Sequence, residues 1–556
     1  MRPFHWGELI PSVPTEDLVR FMHSTRFISA ALLGAAAALF ALGSQAAPLH
    51  AAPPARGAEV QVPAPPRDPA ERGARANWFV GTWSGEIRMP GQGLAVSIAL
   101  DAAAPGPDAE PRLRGTIDIP SQSLRGAPLE VVLELGTAPE PDRVRMVIKG
   151  LPGNPTFRGA RRDAAAGTDG GETIEGQFEQ SAYRLPFSLK RGALAKRVRP
   201  QDPAPPFPYT EVELTAAHGE GDGAVSLSGT LTVPAGAGPF PCAILVSGSG
   251  QQNRDEELFD HRPFLVIADH LTRAGIAVLR YDDRGVGAST GPLQTATSVD
   301  FAVDSEAWIS VLKARPEIGP IGIIGHSEGG LIAPLVAARN ADVAFIVLLA
   351  GPGVPGSKLL AAQQRALAES GQTPPEVAMR LEATSLELYE AVAAAPLDEP
   401  LPDHVATKLA ALIAVQRGTP PPPPDAEGNP TVITREVADA LRQLSVPWMR
   451  LFLSHDPSGP LRAVRVPILA LNGTRDVQVV AEQNLPAIEA VLKESGHPDF
   501  SVRRFEGLNH LFQPSVSGGV IEYAQIETTV DPAVLEAMRA WIAERFVRTA
   551  PAAARP

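Results

Sequence analysis

The chain has 556 residues, which is too long for one hydrophobic core, so two or more domains are expected. Apolar residues make up 44% of it and charged residues 20%, a balance that is typical of folded domains and excludes a wholly disordered chain. The formal charge of -13 excludes a surface that follows nucleic-acid phosphates, because such a surface needs an excess of Lys and Arg. We therefore expect no nucleic-acid partner.

The first segment is typical of a signal peptide. An uncharged apolar run, FISAALLGAAAALFALG at 27–43, precedes Ser44 and Ala46, which fit the small-x-small pattern of a cleavage site. We predict a signal peptide over 1–46, with Met22 as an alternative start, and hence an exported protein, periplasmic or secreted. A membrane anchor is the alternative, but the run is barely long enough to span a bilayer, so no stable span is expected after cleavage.

The next segments alternate between Pro-rich stretches and one all-β unit. Residues 47–76 are rich in Pro and Ala and are predicted to form an extended tether. From 77 to 195, short runs alternate apolar and polar residues between Gly, Pro or Asp breaks, which predicts about seven to nine antiparallel strands in a sandwich or small barrel. A second Pro-rich stretch, 196–209, is predicted to be a linker.

Beyond the linker, the pattern is that of an α/β domain. Short apolar runs without alternation, such as FPCAILV and IGIIG, are each followed by a helical stretch, as expected for buried parallel strands flanked by helices. The predicted helices lie near 262–274, 299–314, 480–494 and 531–547. We predict an α/β domain formed by 210–353 and 463–550, with its chemistry at the carboxyl ends of the strands.

A long insertion, 354–462, separates the two parts of this domain. It is too long for a bare loop in a compact domain. Apolar residues recur at helical spacing in three of its stretches, beginning at Val377, Val405 and Val437. We therefore predict a helical cap over the catalytic face.

Two segments fit the pattern Gly-x-Ser-x-Gly, GASTG at 287–291 and GHSEG at 325–329. A nucleophile elbow requires a buried strand before the serine and a helix after it. Ser327 has both, whereas Ser289 follows a charged loop and is soon followed by Pro292. The sequence therefore predicts Ser327 as a nucleophile.

A serine hydroxyl needs a base that is itself oriented by an acid, in the chain order serine, acid, histidine for this kind of elbow. His510 follows the last predicted strand, and Asp476 follows the strand before it, so these are the predicted base and acid. Asp456 precedes that strand and is the weaker candidate for the acid. His326 is next to the serine in sequence, but its side chain is expected to point away from the serine side chain.

Two backbone N–H groups are predicted to stabilise an oxyanion. One is that of Glu328, at the start of the helix after the serine. The other is that of Ser249, in the loop SGSGQQNRDE after the strand FPCAILV. Substrate oxygen is therefore expected between these two loops.

No metal or cofactor is expected. Cys242 is the only cysteine, which excludes an intrachain disulfide and a cysteine-based zinc site. The sequence also contains no His-Glu-x-x-His motif and no Walker glycine loop.

Several segments resemble the α/β-hydrolases of the serine aminopeptidase-like or dienelactone hydrolase-like branch, in particular a group of exported bacterial carboxylesterases. These segments are LVSGSGQQNRDE, PFLVIADHLTRAGIAVLRYDDRGVGAST, GHSEGG, PWMRLFLSHDP, LALNGTRDVQV and LNHLFQ, between 240 and 513. The resemblance implies an α/β-hydrolase fold with a helical cap, no metal, and Ser327, Asp476 and His510 as a catalytic triad. Asn253 departs from this pattern, because DRDE is expected where the chain has NRDE.

The expected function is hydrolysis of a small-molecule carboxylic ester through an acyl-enzyme, with no obligate protein partner. An exported peptidase or amidase of the aminopeptidase type is the first alternative, in which acidic residues of the insertion would hold the substrate's amine. These residues are Glu376, Glu382, Glu387 and Glu390. A protein that binds an apolar or carbohydrate ligand through the all-β domain is the second alternative.

Overall fold

The computed structural model describes residues 69–547. Short gaps fall at 90–91, 105–110, 120–123, 137–138, 150–154, 164–170, 181–182, 194–197, 426–427 and 430. The predicted signal peptide and most of the predicted tether lie outside the described residues. The end of the predicted tether is helical rather than extended, since helix α1 covers Pro69–Asn77.

The all-β unit is a closed antiparallel barrel, with eight strands in its described part. Its strands are β1 (Gly81–Met89), β2 (Gln92–Ala103), β3 (Arg112–Ile119), β4 (Leu124–Glu134), β5 (Arg143–Ile148), β6 (Thr156–Arg162), β7 (Thr173–Gln180) and β8 (Tyr183–Arg191). Each strand pairs with the next, and β1 pairs with β8, so the sheet has no free edge. Of the two predicted architectures, the barrel is therefore the one observed.

Bulky side chains fill the interior of the barrel. Trp83, Phe157, Phe178 and Phe187 are buried, and the ring centroids of Phe157 lie 4.8 Å from Phe178 and 5.1 Å from Phe187. Along β1, β7 and β8 these residues alternate with partly or fully exposed ones, which is the period-two pattern of a sheet with one buried face. The described barrel is consequently a packed core, and its interior gives no support to the ligand-binding alternative.

The rest of the chain forms an eight-stranded mixed sheet within the described residues. Its strands are β9 (Tyr209–His218), β10 (Val225–Pro234), β11 (Phe240–Val246), β12 (Ala277–Tyr281), β13 (Ile318–His326), β14 (Val343–Leu349), β15 (Ile468–Gly473) and β16 (Phe500–Phe505). Their order is β16-β15-β14-β13-β11-β12-β10-β9. From β16 to β12 all neighbours are parallel, so the carboxyl ends of these strands share one edge.

Helices cover both faces of this sheet, which explains why its central strands are apolar throughout. The helices are α2 (Pro263–Arg273), α3 (Ser298–Lys313), α4 (Gly329–Ala337), α5 (Gly356–Ser370), α6 (Pro375–Ala394), α7 (Asp403–Arg417), α8 (Arg435–Leu444), α9 (Pro447–Ser454), α10 (Ser458–Ala463), α11 (Ala481–Glu494) and α12 (Pro532–Phe546). One apolar cluster packs α2 and α12 against the sheet, and the other packs α3, α4 and α11. No helix in the described ranges combines the length and hydropathy of a membrane span.

The insertion between β14 and β15 consists of α5 to α10. Its predicted apolar stripes lie in α6, α7 and α8, whereas α5 and the two short helices α9 and α10 were not predicted. Buried residues of α5 to α9 belong to the same apolar cluster as α2 and the central strands. The insertion therefore packs on the α/β domain as one body with it.

The second Pro-rich stretch docks onto the α/β domain. Arg199 is 1% exposed, and its guanidinium donates hydrogen bonds to the carbonyls of Phe259 at 2.7 Å and Ile526 at 2.6 Å. The side-chain amide of Gln201 donates to the carbonyl of Val530 at 2.8 Å. Part of the predicted linker is thus held in place by the segment between β16 and α12.

Candidate active site

Ser327 lies in a sharp turn between β13 and α4. Its φ of 53° falls in the left-handed region, which a serine adopts only at a cost in backbone strain. The N–H of Ser327 donates to the carbonyl of Leu349 at 2.8 Å, which holds the turn against the neighbouring strand. A Cβ added at Gly325 would lie 2.0 Å from the carbonyl oxygen of Gly329, so the glycine is a steric requirement of this turn.

Gly325→Ala is expected to lower the free energy of unfolding by about 1–3 kcal/mol or more, because the new methyl would overlap the backbone of the following turn. Denaturant unfolding followed by circular dichroism would measure the change. Gly459→Ala in α10 is the matched control, since a Cβ there meets nothing within 4 Å. Equal stability of the two variants would contradict the steric account of the turn.

The other serine between glycines has a structural role. The hydroxyl of Ser289 is buried, donates to the carbonyl of Asp282 at 2.8 Å and accepts from the N–H of Ser228 at 2.9 Å. The first bond closes the loop after β12, and the second fastens this loop to β10. Ser289 is thereby explained without any role as a nucleophile.

The structure brings the predicted acid and base together. Oδ2 of Asp476 lies 2.8 Å from Nδ1 of His510, and both residues are 4% exposed. Oδ1 of the same carboxylate accepts the N–H groups of Gln478 and Val479, each at 2.8 Å, and these bonds orient it towards the histidine. A proton on Nδ1 leaves Nε2 as the basic nitrogen. Asp456 instead accepts the N–H of Ser458 at 2.9 Å, at the start of α10.

His326 connects the serine turn to the loop that carries His510. Its Nδ1 lies 2.8 Å from Oε1 of Glu256, and its Nε2 lies 3.0 Å from the main-chain oxygen of His510. The two histidine rings are 4.7 Å apart between centroids. Both nitrogens of His326 are therefore engaged, and the residue next to Ser327 in sequence contacts the base loop.

The loop after β11 leaves the predicted oxyanion donors available. The N–H of Gly248 is already bonded to Oε1 of Glu256 at 2.8 Å. The N–H groups of Ser249 and Glu328 make no hydrogen bond with any other residue that the structure describes. A Cβ added at Gly248 would lie 3.1 Å from Cβ of Ser327, so this loop passes directly beside the serine. The site thus offers two free donors next to the serine.

The side chain of Asn253, at the start of the NRDE segment, stabilises the turn of this loop. Oδ1 of Asn253 accepts the N–H groups of Asp255 at 3.0 Å and Glu257 at 3.2 Å, as an aspartate oxygen would. Arg254 bonds to Asp282 at 2.9 Å. Burial alone would raise the pKa of Asp282, but the hydrogen bonds from Arg254 outweigh it and leave this pKa below its usual value.

Glu328 joins the insertion to the serine turn. Its buried Oε1 accepts the hydroxyl of Ser298 at 2.6 Å and the indole N–H of Trp448 in α9 at 2.7 Å. Burial raises the pKa of Glu328, although these hydrogen bonds favour its charged form. Sequence reasoning missed Trp448 as a contact of the site, although its segment PWMRLFLSHDP carried part of the family resemblance. The insertion therefore reaches the residue that follows the serine.

The acidic residues of the insertion do not form an amine-binding cluster. Glu376, Glu387 and Glu390 are exposed, and Glu382 lies 3.3 Å from Arg365. Glu387 also pairs with Lys408 at 3.4 Å. Their arrangement is that of a solvated helix face. Over the described ranges, no group of three or more His, Cys, Asp or Glu side chains is placed to hold a metal ion.

Comparison with known proteins finds a family model that matches part of the chain. Residues 262–418 match the family model described as serine aminopeptidase, S33. The predicted resemblance is confirmed. The matched range is therefore similar to this family, and it includes Ser327 and the turn between β13 and α4.

Relatives of the α/β-hydrolase domain include esterases. The chain is 25% identical over 306 residues to esterase EstD of Thermotoga maritima, a match that covers 54% of this chain and 62% of that protein. Among solved structures, an esterase of Pyrococcus furiosus has a TM-score of 0.36 and 15% identity, covering 62% of this chain and 92% of its own. Est1E from Butyrivibrio proteoclasticus with ferulic acid bound has a TM-score of 0.33 and 18% identity, covering 58% and 96%.

Proposed function

We propose that this chain is a serine carboxylesterase that hydrolyses small-molecule esters through an acyl-enzyme. The observation that carries the proposal is the buried 2.8 Å hydrogen bond between Asp476 and His510, whose main-chain oxygen lies 3.0 Å from Nε2 of His326, the residue before Ser327. Paired acid and base next to an elbow serine serve acyl transfer. The esterase activity named for the Thermotoga maritima relative supports an ester rather than another acyl substrate.

In the first half-reaction, Nε2 of His510 accepts the hydroxyl proton of Ser327 while Oγ attacks the ester carbonyl. The tetrahedral intermediate collapses, the alcohol leaves with the proton returned by His510, and the acyl group stays on Oγ. Asp476 holds the imidazole in the required tautomer and stabilises its charged form.

In the second half-reaction, His510 accepts a proton from water as the water oxygen attacks the acyl carbonyl. The tetrahedral intermediate then collapses, the bond to Oγ of Ser327 breaks, His510 returns the proton to Oγ, and the acid leaves. The N–H groups of Ser249 and Glu328 bind the oxyanion in both halves. One such donor typically lowers the barrier by about 3 kcal/mol.

The proposal is tested with nitrophenyl esters of increasing acyl length and with aminoacyl nitroanilides. We expect turnover of the esters and no measurable release of nitroaniline. The acidic residues of the insertion are exposed to solvent or paired with Arg365 and Lys408, and they do not form a cluster that could bind an amine. Comparable rates on both substrate classes would favour the amidase alternative instead.

A fluorophosphonate probe provides a second readout, because it reacts only with an activated serine. Peptide mapping by mass spectrometry should find the label on Ser327. Label on Ser289, or none at all, would contradict the assignment of the nucleophile.

A further inference from the structure

One buried carboxylate touches two loops of the site. Oε1 of Glu256 accepts the N–H of Gly248 and also lies 2.8 Å from Nδ1 of His326. Glu256 is 4% exposed and has a φ of 50°, a left-handed conformation that the N–H of Glu256 stabilises by donating to the carbonyl of Asn253 at 2.9 Å. Through His326, the same carboxylate is connected to the main chain of His510.

The partners of His326 determine how many protons the pair holds. A main-chain carbonyl can only accept, so Nε2 must carry a proton to bond to His510. We place the second proton on Nδ1, so that an imidazolium donates to the Glu256 carboxylate. If the pair loses one proton, a nitrogen lone pair faces either the carboxylate or the carbonyl, and one of the two contacts becomes repulsive.

We propose that His326 and Glu256 are positioning residues, which together align the base loop at His510 and the oxyanion loop at Gly248 with Ser327. The proposal rests on the proposed esterase function. Neither side chain takes a proton from the substrate. Their contribution is that a single hydrogen-bonded unit holds three separate segments, so the reacting groups start in alignment.

The surroundings of His326 favour this charged unit. The titratable groups that face it are Glu256, the His510 ring and the Asp476 carboxylate. His326 and Glu256 also line a small cavity whose other lining residues are apolar and include Phe264, Ile267, Leu349, Phe512 and Met538. Burial alone would lower the pKa of His326, but Glu256, the His510 carbonyl and Asp476 outweigh it and leave this pKa above its usual value.

The raised pKa of His326 determines how the alignment of the two loops depends on pH. A histidine whose pKa is higher in the folded protein than in the unfolded chain stabilises the fold fully below the unfolded value of about 6.5. This stabilisation is lost as the pH rises through the folded value. Alignment of the two loops should therefore weaken on the alkaline side, and turnover should decline there.

Glu256→Gln tests the role. The amide oxygen can still accept the N–H of Gly248, but a neutral amide cannot hold an imidazolium. We expect kcat to fall about 10- to 100-fold with little change in KM, and the alkaline limb of the kcat profile to move to lower pH. Glu536→Gln is the control, because Glu536 is an exposed residue of α12 that accepts hydrogen bonds from Arg539 and lies 4.0 Å from the partly buried His270, and its pH profile should match that of the wild type. An unshifted alkaline limb in Glu256→Gln would overturn the positioning role and leave the proposed esterase standing.

A second measurement does not depend on turnover. In Ser327→Ala protein labelled with ¹⁵N-histidine, the ¹⁵N chemical shifts of His326 should show both ring nitrogens protonated at about pH 7. A ring with one unprotonated nitrogen at that pH would overturn the inference even if Glu256→Gln failed to fold. If the wild type hydrolyses no ester, the proposed function fails, and the ring protons still decide whether the pair is charged as inferred.

Discussion

Ser327→Ala is expected to lower kcat for nitrophenyl esters roughly a millionfold, to the residual rate that binding and the oxyanion donors alone provide. The structure supplies the reason, because Ser327 occupies the strained turn beside the loop of Gly248, whereas the hydroxyl of Ser289, in the other Gly-x-Ser-x-Gly segment, is engaged in structural bonds. Initial rates in ester excess, together with loss of fluorophosphonate labelling, would measure the effect.

Ser289→Ala is the matched control for this prediction. It removes the hydroxyl that bonds Asp282 and Ser228, so it should reduce the free energy of unfolding by about 1–3 kcal/mol while kcat stays close to that of the wild type. If Ser327→Ala kept most of its turnover, or if Ser289→Ala lost it in folded protein, the nucleophile would lie elsewhere.

Asp476→Asn is expected to reduce kcat about ten-thousandfold with the fold preserved. The amide oxygen of the variant can still accept the N–H groups of Gln478 and Val479, which keeps the turn after β15. Its NH₂ group would then face Nδ1 of His510 as a donor, and the proton would move to Nε2, where it blocks attack by the serine. Rates at several pH values and unfolding curves would separate loss of catalysis from loss of structure.

Asp456→Asn is the control for the acid, because the amide oxygen of the variant can still accept the N–H of Ser458. The carboxylate bonded to His510 is that of Asp476. We expect less than about a twofold change in kcat, as for a surface substitution. A larger loss in Asp456→Asn than in Asp476→Asn would reverse the assignment of the acid.

Much of the α/β domain could be predicted because its strands and helices are indicated by short stretches of sequence. Strands β11, β13, β14 and β15 are unbroken apolar runs, and the helices that flank the sheet begin within one or two residues of their predicted starts. Because the carboxyl ends of parallel strands share one edge of the sheet, only an acid and a histidine that directly follow such strands can lie close together. The pairing of Asp476 with His510 was therefore within reach of sequence reasoning.

The parts that could not be predicted depend on contacts between distant segments. Closure of the barrel requires β1 to pair with β8, and alternation within each strand is the same in a sandwich. Glu256 and His326 are 70 positions apart, and nothing in either local sequence specifies their pairing. The resemblance singled out NRDE only for its departure at Asn253, whose side chain accepts two N–H groups of its own turn, and it did not point to Glu256 in the same segment.

The docking of Arg199 also determines where the α/β domain could be separated from the barrel. A shortened chain without the barrel would have to begin before Arg199 to keep these bonds, although the Pro-rich composition suggests a boundary anywhere up to β9. A later breakpoint would leave the carbonyls of Phe259 and Ile526 without their donor. The structural unit formed by the α/β domain therefore begins before the first strand of its sheet, in a Pro-rich stretch whose composition is typical of a linker.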